Sequence, residues 1–426
     1  PGLAVAHDPR CPAFTSLRLS AGATSTSILL QCIHWSSSGS GFKYDDQTTV
    51  LAVKQFSKGE VLSLTSPAPA GSLTANADLC LVKLLVGPGN PGPADAPSTT
   101  KGIGVQIWLP SKTAWDQRLK AVGSGGFIGG LQADPNIVHT AFGRIEIASG
   151  LPHAEGGSIG VDNDKGHGLD NSGSFAMNPD GTINERGWMD FERANHESLL
   201  RAKALSKLFY GIEPKYAYFI GGSSGGREGL KLAQKFPSDF NGIVSIVPAI
   251  NWTSFTPAEV YPALVVQRDL GGVYPTAEQF ATVEKAALES CDVVGGVHLG
   301  YVLEPSQCKY DPEKDLQVLC VGSGGTNATP GCVCSIQARA FNKFWYGPTS
   351  DGSVPSPADD NGWALAGSQR WYGTPRGTYL SLAREPFSIG TSQVALSLQD
   401  STLAGSAFKN ASGDGADRWK NLSYAD

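Results

Sequence analysis

Charge is scarce in this chain. Only 17% of its 426 residues are Asp, Glu, Lys or Arg, against roughly 25% in an average soluble protein. The net charge of −6 gives no basic field, so a nucleic-acid partner is not expected. No apolar run reaches the ~18 residues of a membrane span. A charged-then-apolar leader is missing as well: the sequence starts at Pro1 and reads as a mature chain. Zinc-type spacing is absent, since Cys332 and Cys334 are one residue apart and no histidine follows them.

Glycine is abundant instead, 52 of 426 residues, or about 12% against a usual ~7%. Hydrophobic residues at 41% suffice for a large core. The eight cysteines form an even set, four of them crowded between 308 and 334, and read as disulfides formed in an oxidising compartment. Four N-x-S/T sequons, at Asn251, Asn327, Asn410 and Asn421, agree with a secreted, extracellular protein.

The order of elements points to an α/β fold. IGVQIWLP (103–110) reads as a strand ended by Pro110, KAVGSGGFIGG (120–130) as a strand entering a glycine-rich turn, and GSIGVDNDKGH (157–167) as a strand and polar turn. Apolar residues at three- and four-residue steps predict a helix over 186–211, stopped by Gly211. Tyr216–Ile220 is β-prone, GGSSGG follows directly, then a helix over Arg227–Phe236 and a strand over Asn241–Ile250. Such alternation builds a doubly wound parallel sheet covered on both faces. From 251 to 390 the chain turns rich in Gly, Pro, Ser and aromatics, as in an inserted lid stapled by disulfides. The expected division is therefore a core over 1–250, a lid over 251–390 and a return toward the core over 391–426.

The run FIGGSSGGREG (219–229) carries the chemistry. A serine hydroxyl becomes a nucleophile when it is exposed on a sharp strand-to-helix turn and a base can take its proton. Gly-x-Ser-x-Gly fits twice, centred on Ser223 or on Ser224, and spacing alone does not choose. A dinucleotide fingerprint is excluded by its missing glycine, and a P-loop by Arg227 where a lysine is needed. Gly125 and Gly126, after an early strand, suit the second amide donor of an oxyanion hole. Of seven histidines, only His298 lies beyond Ser223, whereas the acid and the base of an α/β-hydrolase both follow the serine. His167 and His196 read as satisfied histidines beneath the site. Asp162, Asp164 and His167 mimic a metal cluster, but three such residues within six more often cap a turn.

GGSSGGREGLKLAQKFPSDFNGIV (221–244) resembles the tannase and feruloyl esterase family, whose signature is G-C-S-x-G-G-R-[EQ]-G. Anchoring on Gly225, Gly226 and Arg227 places the family's serine at Ser223. The Ser224 amide then joins Gly125 and Gly126 in the oxyanion hole. VGSGGFIGG, DNDKGH, the helix through His196 and Lys203, and CDVVGGVHLGYVLEPSQC (291–308) extend the resemblance over nearly the whole chain. It implies an α/β-hydrolase core with a large lid, and a secreted serine esterase acting on esters of hydroxycinnamic- or gallic-type aromatic acids. A catalytically inactive secreted binding protein of the same fold is the alternative. Phe341, Phe344, Trp345, Tyr346, Trp371 and Tyr372 either line a pocket for a flat ring or form the lid's own core.

Three departures set this chain apart from the family. Gly222 replaces the cysteine before the serine. Of three calcium aspartates only Asp292 is kept, with Gly295 and Leu299 in place of the others, so no metal or other cofactor is expected. The catalytic histidine is missing, and the text reaches NLSYAD (421–426) before the two strands that would carry acid and base. The resemblance thus implies a second polypeptide, or an absent C-terminal segment, bearing the catalytic Asp and His. It also implies the pairs Cys11–Cys80, Cys291–Cys308 and Cys320–Cys334, leaving Cys32 and Cys332 for each other or for a second chain.

Overall fold

A computed structural model of the chain describes residues 42, 44–140, 149–360, 364–378, 380 and 383–426. Seven strands form one sheet: β1 (Thr48–Phe56), β2 (Leu79–Val86), β3 (Ile103–Pro110), β4 (Arg118–Gly123), β5 (Ile159–Asn163), β6 (Tyr216–Gly222) and β7 (Gly242–Ile246). Their order is β1-β2-β3-β5-β4-β6-β7. Pairing is antiparallel from β1 through β3 to β5 and parallel from β5 through β4 and β6 to β7. The sheet is therefore mixed rather than parallel throughout: β3 already runs antiparallel to β5, and β1 and β2, which the sequence pattern did not reveal, extend that antiparallel half. β2 (LCLVKLLV) buries nearly every side chain, as a strand covered on both faces must.

Among the described residues eight helices pack around this sheet or beyond it: α1 (Leu151–Glu155), α2 (Glu185–Tyr210), α3 (Ser224–Lys235), α4 (Trp252–Ala258), α5 (Tyr261–Asp269), α6 (Ala277–Cys291), α7 (Ser335–Tyr346) and α8 (Ser388–Leu398). The long α2 lies within one residue of its expected bounds. Asn184 caps its start by accepting from the Gly187 amide, and Gly211, at φ 86, ends it with a bond to the Lys207 carbonyl. Ala194, Leu199, Ala202 and Leu205 of α2 pack with Leu119, Val161 and Phe219 of the sheet. α3 starts three residues earlier than its apolar pattern suggested, directly behind Ser223. β7 stops at Ile246, short of the expected Ile250, since Val247 turns to φ 38 and Pro248 has no amide to donate.

Regular structure also appears where the sequence showed few periods. α6 opens with a full capping box between Thr276 and Gln279 and buries Phe280, Val283 and Ala287. These join Val265, Phe341, Phe344 and Trp345 in a second apolar cluster, away from the sheet. A hairpin of β8 (Val293–Val294) and β9 (Val297–His298) follows α6. α8 returns to the core, where Ile389 and Leu396 meet Phe127, Phe175 and Phe191.

Cys291 pairs with Cys308. The expected Cys320–Cys334 bond is not formed: Cys320 bonds Cys332, and Cys334 is free. The reason is local. The Cys320 amide bonds the Val333 carbonyl, which brings the Cys320 and Cys332 α-carbons to 4.9 Å. Cys334 instead serves as the N-cap of α7, reciprocally bonded with Gln337. Cys80 is disulfide-bonded, but Cys11 and Cys32 lie outside the described residues.

Candidate active site

β6 ends at Gly222 and α3 begins at Ser224, so Ser223 alone makes the turn, at φ 55 and ψ −118. A side chain held there stores about 1–3 kcal/mol of strain and needs support from its surroundings. The Ser223 amide donates to the Ile246 carbonyl at 3.0 Å, and the Ala249 amide donates to the Ser223 carbonyl at 3.0 Å. The glycines are sterically required. A Cβ on Gly221 would lie 2.5 Å from the Gly225 carbonyl carbon, and one on Gly225 would lie 2.8 Å from that of Gly123. The two serines thus differ in kind. Ser223 stands half-buried at the apex, whereas Ser224 is buried in the first turn of α3, its Oγ without a partner among the described residues. As a first-turn residue, Ser224 has an amide with no intrahelical acceptor, on the end of the helix that favours negative charge.

The loop after β4 meets this turn at Gly123 and Ser124. Gly126 has φ 57, and a Cβ there would lie 2.4 Å from Asn171 Oδ1. That same oxygen accepts the Phe127 amide at 2.6 Å. The Phe127 carbonyl accepts from His167 Nε2 at 2.5 Å, and the Gly130 amide donates to the His167 carbonyl. Both polar groups of the Phe127 peptide are therefore spent. Phe127 is thus not free to serve as a loop donor, whereas the Gly125 and Gly126 amides make no hydrogen bond among the described residues. His167 stacks on Phe175 at 3.8 Å, and burial lowers its pKa to about 4, so the ring is neutral and donates through Nε2.

Beneath the loop and the turn lies a buried ion pair. Lys165 Nζ meets Glu228 Oε2 at 2.7 Å, with side chains 1% and 7% exposed. Asn195 bridges them, accepting from Lys165 at 3.2 Å and donating to Glu228 at 2.8 Å. Beside it the Arg227 guanidinium sits 4.2 Å from the Trp252 ring centre, and Trp252 packs edge-on against Phe127. The sequence reading missed Asn171, Lys165, Glu228 and Trp252 as parts of the site. Each lies next to a motif that was read, but no spacing rule pairs residues 44 or 63 positions apart.

The remaining candidates lie elsewhere. His196 bonds Asp239 at 2.7 Å and stacks on Phe236. His298 Nδ1 bonds Asp292 Oδ1 at 2.6 Å. Among the described residues no histidine ring is hydrogen-bonded to the Ser223 hydroxyl. Asp164 accepts the Gly104, Gly166 and Ala133 amides, and Asp162 accepts from Gln132 and Gly150. These carboxylates tie loops together. Burial raises both pKa values, that of Asp164 to about 7. The calcium that the family's loop implies does not fit here. Both Asp292 oxygens are engaged, Oδ2 by the Gly300 amide at 2.9 Å, and neither Gly295 nor Leu299 offers a side-chain oxygen. Of the sequons, Asn410 is buried, its Nδ2 donating to the Met177 and Asn178 carbonyls. Asn251 and Asn421 are exposed, and Asn327 is half-buried. Phe341, Phe344 and Trp345 pack in the second apolar cluster, away from the sheet.

A cleft of about 620 Å³ opens beside the loop, with Asn171, Arg384, Glu385, Thr391 and Trp419 in its walls. Its size suits a small-molecule ligand. Ile389, adjacent in sequence to wall residue Ser388, reaches Gly126, so cleft and glycine loop are neighbours.

A strand, a one-residue turn at Ser223 and the helix behind it, on a mixed sheet whose last four strands are parallel, define an α/β-hydrolase fold. Residues 90–410 match the model of the family described as tannase and feruloyl esterase. The chain belongs to that family. A probable feruloyl esterase of Arthroderma benhamiae is 32% identical over 254 residues, covering 58% of this chain and 43% of that protein. Feruloyl esterase B of Aspergillus niger is 27% identical over 314 residues, 72% of this chain and 52% of the relative. The chain thus spans about half the length of these curated relatives. Among solved structures, feruloyl esterase B from Aspergillus oryzae superposes with a TM-score of 0.59 at 20% identity, covering 90% of this chain and 65% of that one. Tannin acyl hydrolase from Aspergillus niger does so with 0.56 at 20%, covering 89% and 65%.

Proposed function

We propose that this chain is the serine-bearing part of an extracellular carboxylic ester hydrolase that acts on esters of hydroxycinnamic- or gallic-type acids. The observation that carries the reading is the backbone of Ser223, held at φ 55 with its side chain at the apex of the turn. In the mechanism Ser223 Oγ attacks the ester carbonyl while a base removes its proton. The Ser224 amide and the Gly125 or Gly126 amide hold the oxyanion. Collapse expels the alcohol, protonated by the same base, and leaves an acyl group on Ser223. Water, deprotonated in turn, attacks that acyl group and releases the acid.

The acid and the base come from a further segment or a second polypeptide that pairs along β7. Support for this is that among the described residues β7 has no partner strand on its outer side, and that Val244 on it and Val247 just after it are 53% and 70% exposed, an unusual state for the end of a parallel sheet. No metal or other cofactor takes part. The disulfides agree with an oxidising compartment, and no helix among the described residues is long and apolar enough to cross a membrane.

The test is labelling of the complete protein with a fluorophosphonate, followed by assay on feruloyl and galloyl esters. Ser223→Ala should abolish both signals while Ser224→Ala keeps most of each. Labelling that survives Ser223→Ala refutes the assignment. A complete protein that neither labels nor hydrolyses is a binding protein of this fold.

A further inference from the structure

One face of α3 turns away from β7, toward α2. Gly226 and Gly229 lie on the strand side, where a Cβ would meet the Ile246 carbonyl oxygen at 2.5 Å and the Ile243 side chain at 2.9 Å. Arg227, Glu228 and Lys231, on the other side of the helix, join Trp188, Phe191 and Glu192 of α2 in the walls of a pocket of about 270 Å³. It shares no wall residue with the cleft beside the glycine loop. It lies one turn of α3 behind Ser223, whose carbonyl accepts the Arg227 amide at 3.1 Å.

The charges in these walls are unevenly matched. Glu228 is held by Lys165 and Asn195, and Glu192 pairs with Lys235. The side chains of Arg227 and Lys231 make no hydrogen bond and no ion pair among the described residues. Arg227 lies 4.2 Å from the Trp252 ring centre and 5.8 Å from that of Phe191. A ring face attracts the positive charge but does not satisfy the in-plane N–H donors of a guanidinium. No Arg227 nitrogen is among the sealed polar atoms, so its unmet donors are open to solvent, and the side chain lines this pocket. Burial works against the Arg227 charge more than Glu228 favours it.

Charge, shape and size together narrow the ligand. Cations whose counter-ions are missing ask for an anion, and a planar guanidinium beside an ammonium suits a carboxylate. The Trp188 and Phe191 rings supply an apolar wall, and the space exceeds the roughly 150 Å³ of a cavity that takes benzene. We propose that this pocket binds an aromatic monocarboxylic acid, with its ring against Trp188 and Phe191 and its carboxylate on Arg227 and Lys231. The acid released from an aromatic ester has this chemistry, but the proposal does not depend on the esterase reading.

The experiment titrates the complete protein with benzoate, followed by ligand-observed NMR. Acetate removes the ring, benzyl alcohol removes the charge, and inorganic phosphate is an anion of another shape. Saturable benzoate binding with a Kd on the order of 1 mM is expected, with acetate and benzyl alcohol about tenfold weaker or more. Arg227→Gln should weaken benzoate about tenfold. Lys231→Gln should weaken it about threefold, since that ammonium is half-buried. Lys231→Gln should also leave fluorophosphonate labelling of Ser223 intact, which shows a folded variant and a loss that is not at the serine. Absence of saturable binding, phosphate or benzyl alcohol binding as tightly as benzoate, an unchanged Kd in Lys231→Gln, or labelling lost together with binding would each overturn the proposal.

Discussion

Lys165 is the most informative residue to change. It and Glu228 form a pair 2.7 Å apart with almost no solvent contact, so the charge left behind by a single substitution cannot be rehydrated in place. Met has a similar reach and volume, which keeps the packing and removes only the charge. In Lys165→Met the Glu228 carboxylate keeps the Asn195 amide on Oε2, while Oε1 has no partner among the described residues. Breaking one side of a buried pair costs about 3–5 kcal/mol. That is a large share of the 5–15 kcal/mol that holds an ordinary protein folded. Adding Glu228→Gln removes the stranded charge and preserves an acceptor for Asn195, so the double variant should recover more than half of the loss. Urea unfolding of all four proteins, followed by fluorescence, yields the coupling energy, expected at or above about 2 kcal/mol. A cost below about 1 kcal/mol for Lys165→Met, or strict additivity, would show that water reaches the pair and that the network does not brace the turn above it.

Other outcomes follow from single features. Because the folded pKa of His167 is lowered to about 4 from an unfolded value near 6.5, the unfolded chain takes up the proton first; its contribution to stability is lost as pH falls from about 6.5 toward 4. By NMR the His167 ring should therefore stay neutral at pH 5, and the acid loss should shrink in His167→Asn; a ring that titrates near 6.5 refutes its burial. Alkylation without reductant should modify Cys334, and peptide mapping should find Cys320 joined to Cys332, a bridge whose short loop contributes about 3 kcal/mol. A Cys320–Cys334 peptide would contradict the fold of this segment. Chelator should leave the Tm unchanged, whereas a fall of several degrees would mean that oxygens other than those of Asp292 complete a cation site. Glycopeptide mapping should find Asn410 bare, and a glycan there would mean that the Met177–Asn178 contact opens.

The sequence made the chemical centre legible because its signals are local. A β-prone run, glycines and a helix in immediate succession dictate a turn, while the choice of Ser223 over Ser224 came from the family register at Gly225, Gly226 and Arg227 and matches the close approach of Gly221 to Gly225. The glycine loop was readable for the same reason. β2 was not, because a strand buried on both faces carries no alternation to detect, and β1, half-buried along most of its length, shows no clean alternation either. The helices between 251 and 390 were hidden by flanking Gly and Pro rather than by length, since α6 has 15 residues, and the Thr276–Gln279 box was visible in principle. The disulfide error came from pairing by family pattern where the outcome depends on which cysteine the first turn of α7 claims as its cap. The clamp on Phe127 was out of reach altogether. Asn171 and His167 are ordinary polar residues until the fold brings them to one peptide.

Those two residues bear on how the site divides its labour. The Ser223 turn is held from one side by β7 and the segment after it, through bonds to Ile246 and Ala249, and the glycine loop is held from the other by His167 and Asn171. Neither support involves a catalytic base. On the proposed reading, the strained apex and the donor loop are held without help from the group that would take the serine proton, as preorganised charge stabilisation requires. Strain at Ser223 is offset by bonds to β7 and the segment after it, and that same strand is the one without an outer partner among the described residues, where the acid and base are proposed to dock. Docking along β7 would then order the strand that already fixes the serine, coupling arrival of the base to the geometry of the nucleophile. Hydrogen exchange reads this directly. The Ser223 amide should be protected in the isolated chain, through its bond to Ile246, and further protected when the complementary segment binds. A Ser223 amide that exchanges freely in the isolated chain would mean that the turn forms only on assembly, and that the serine is not preorganised.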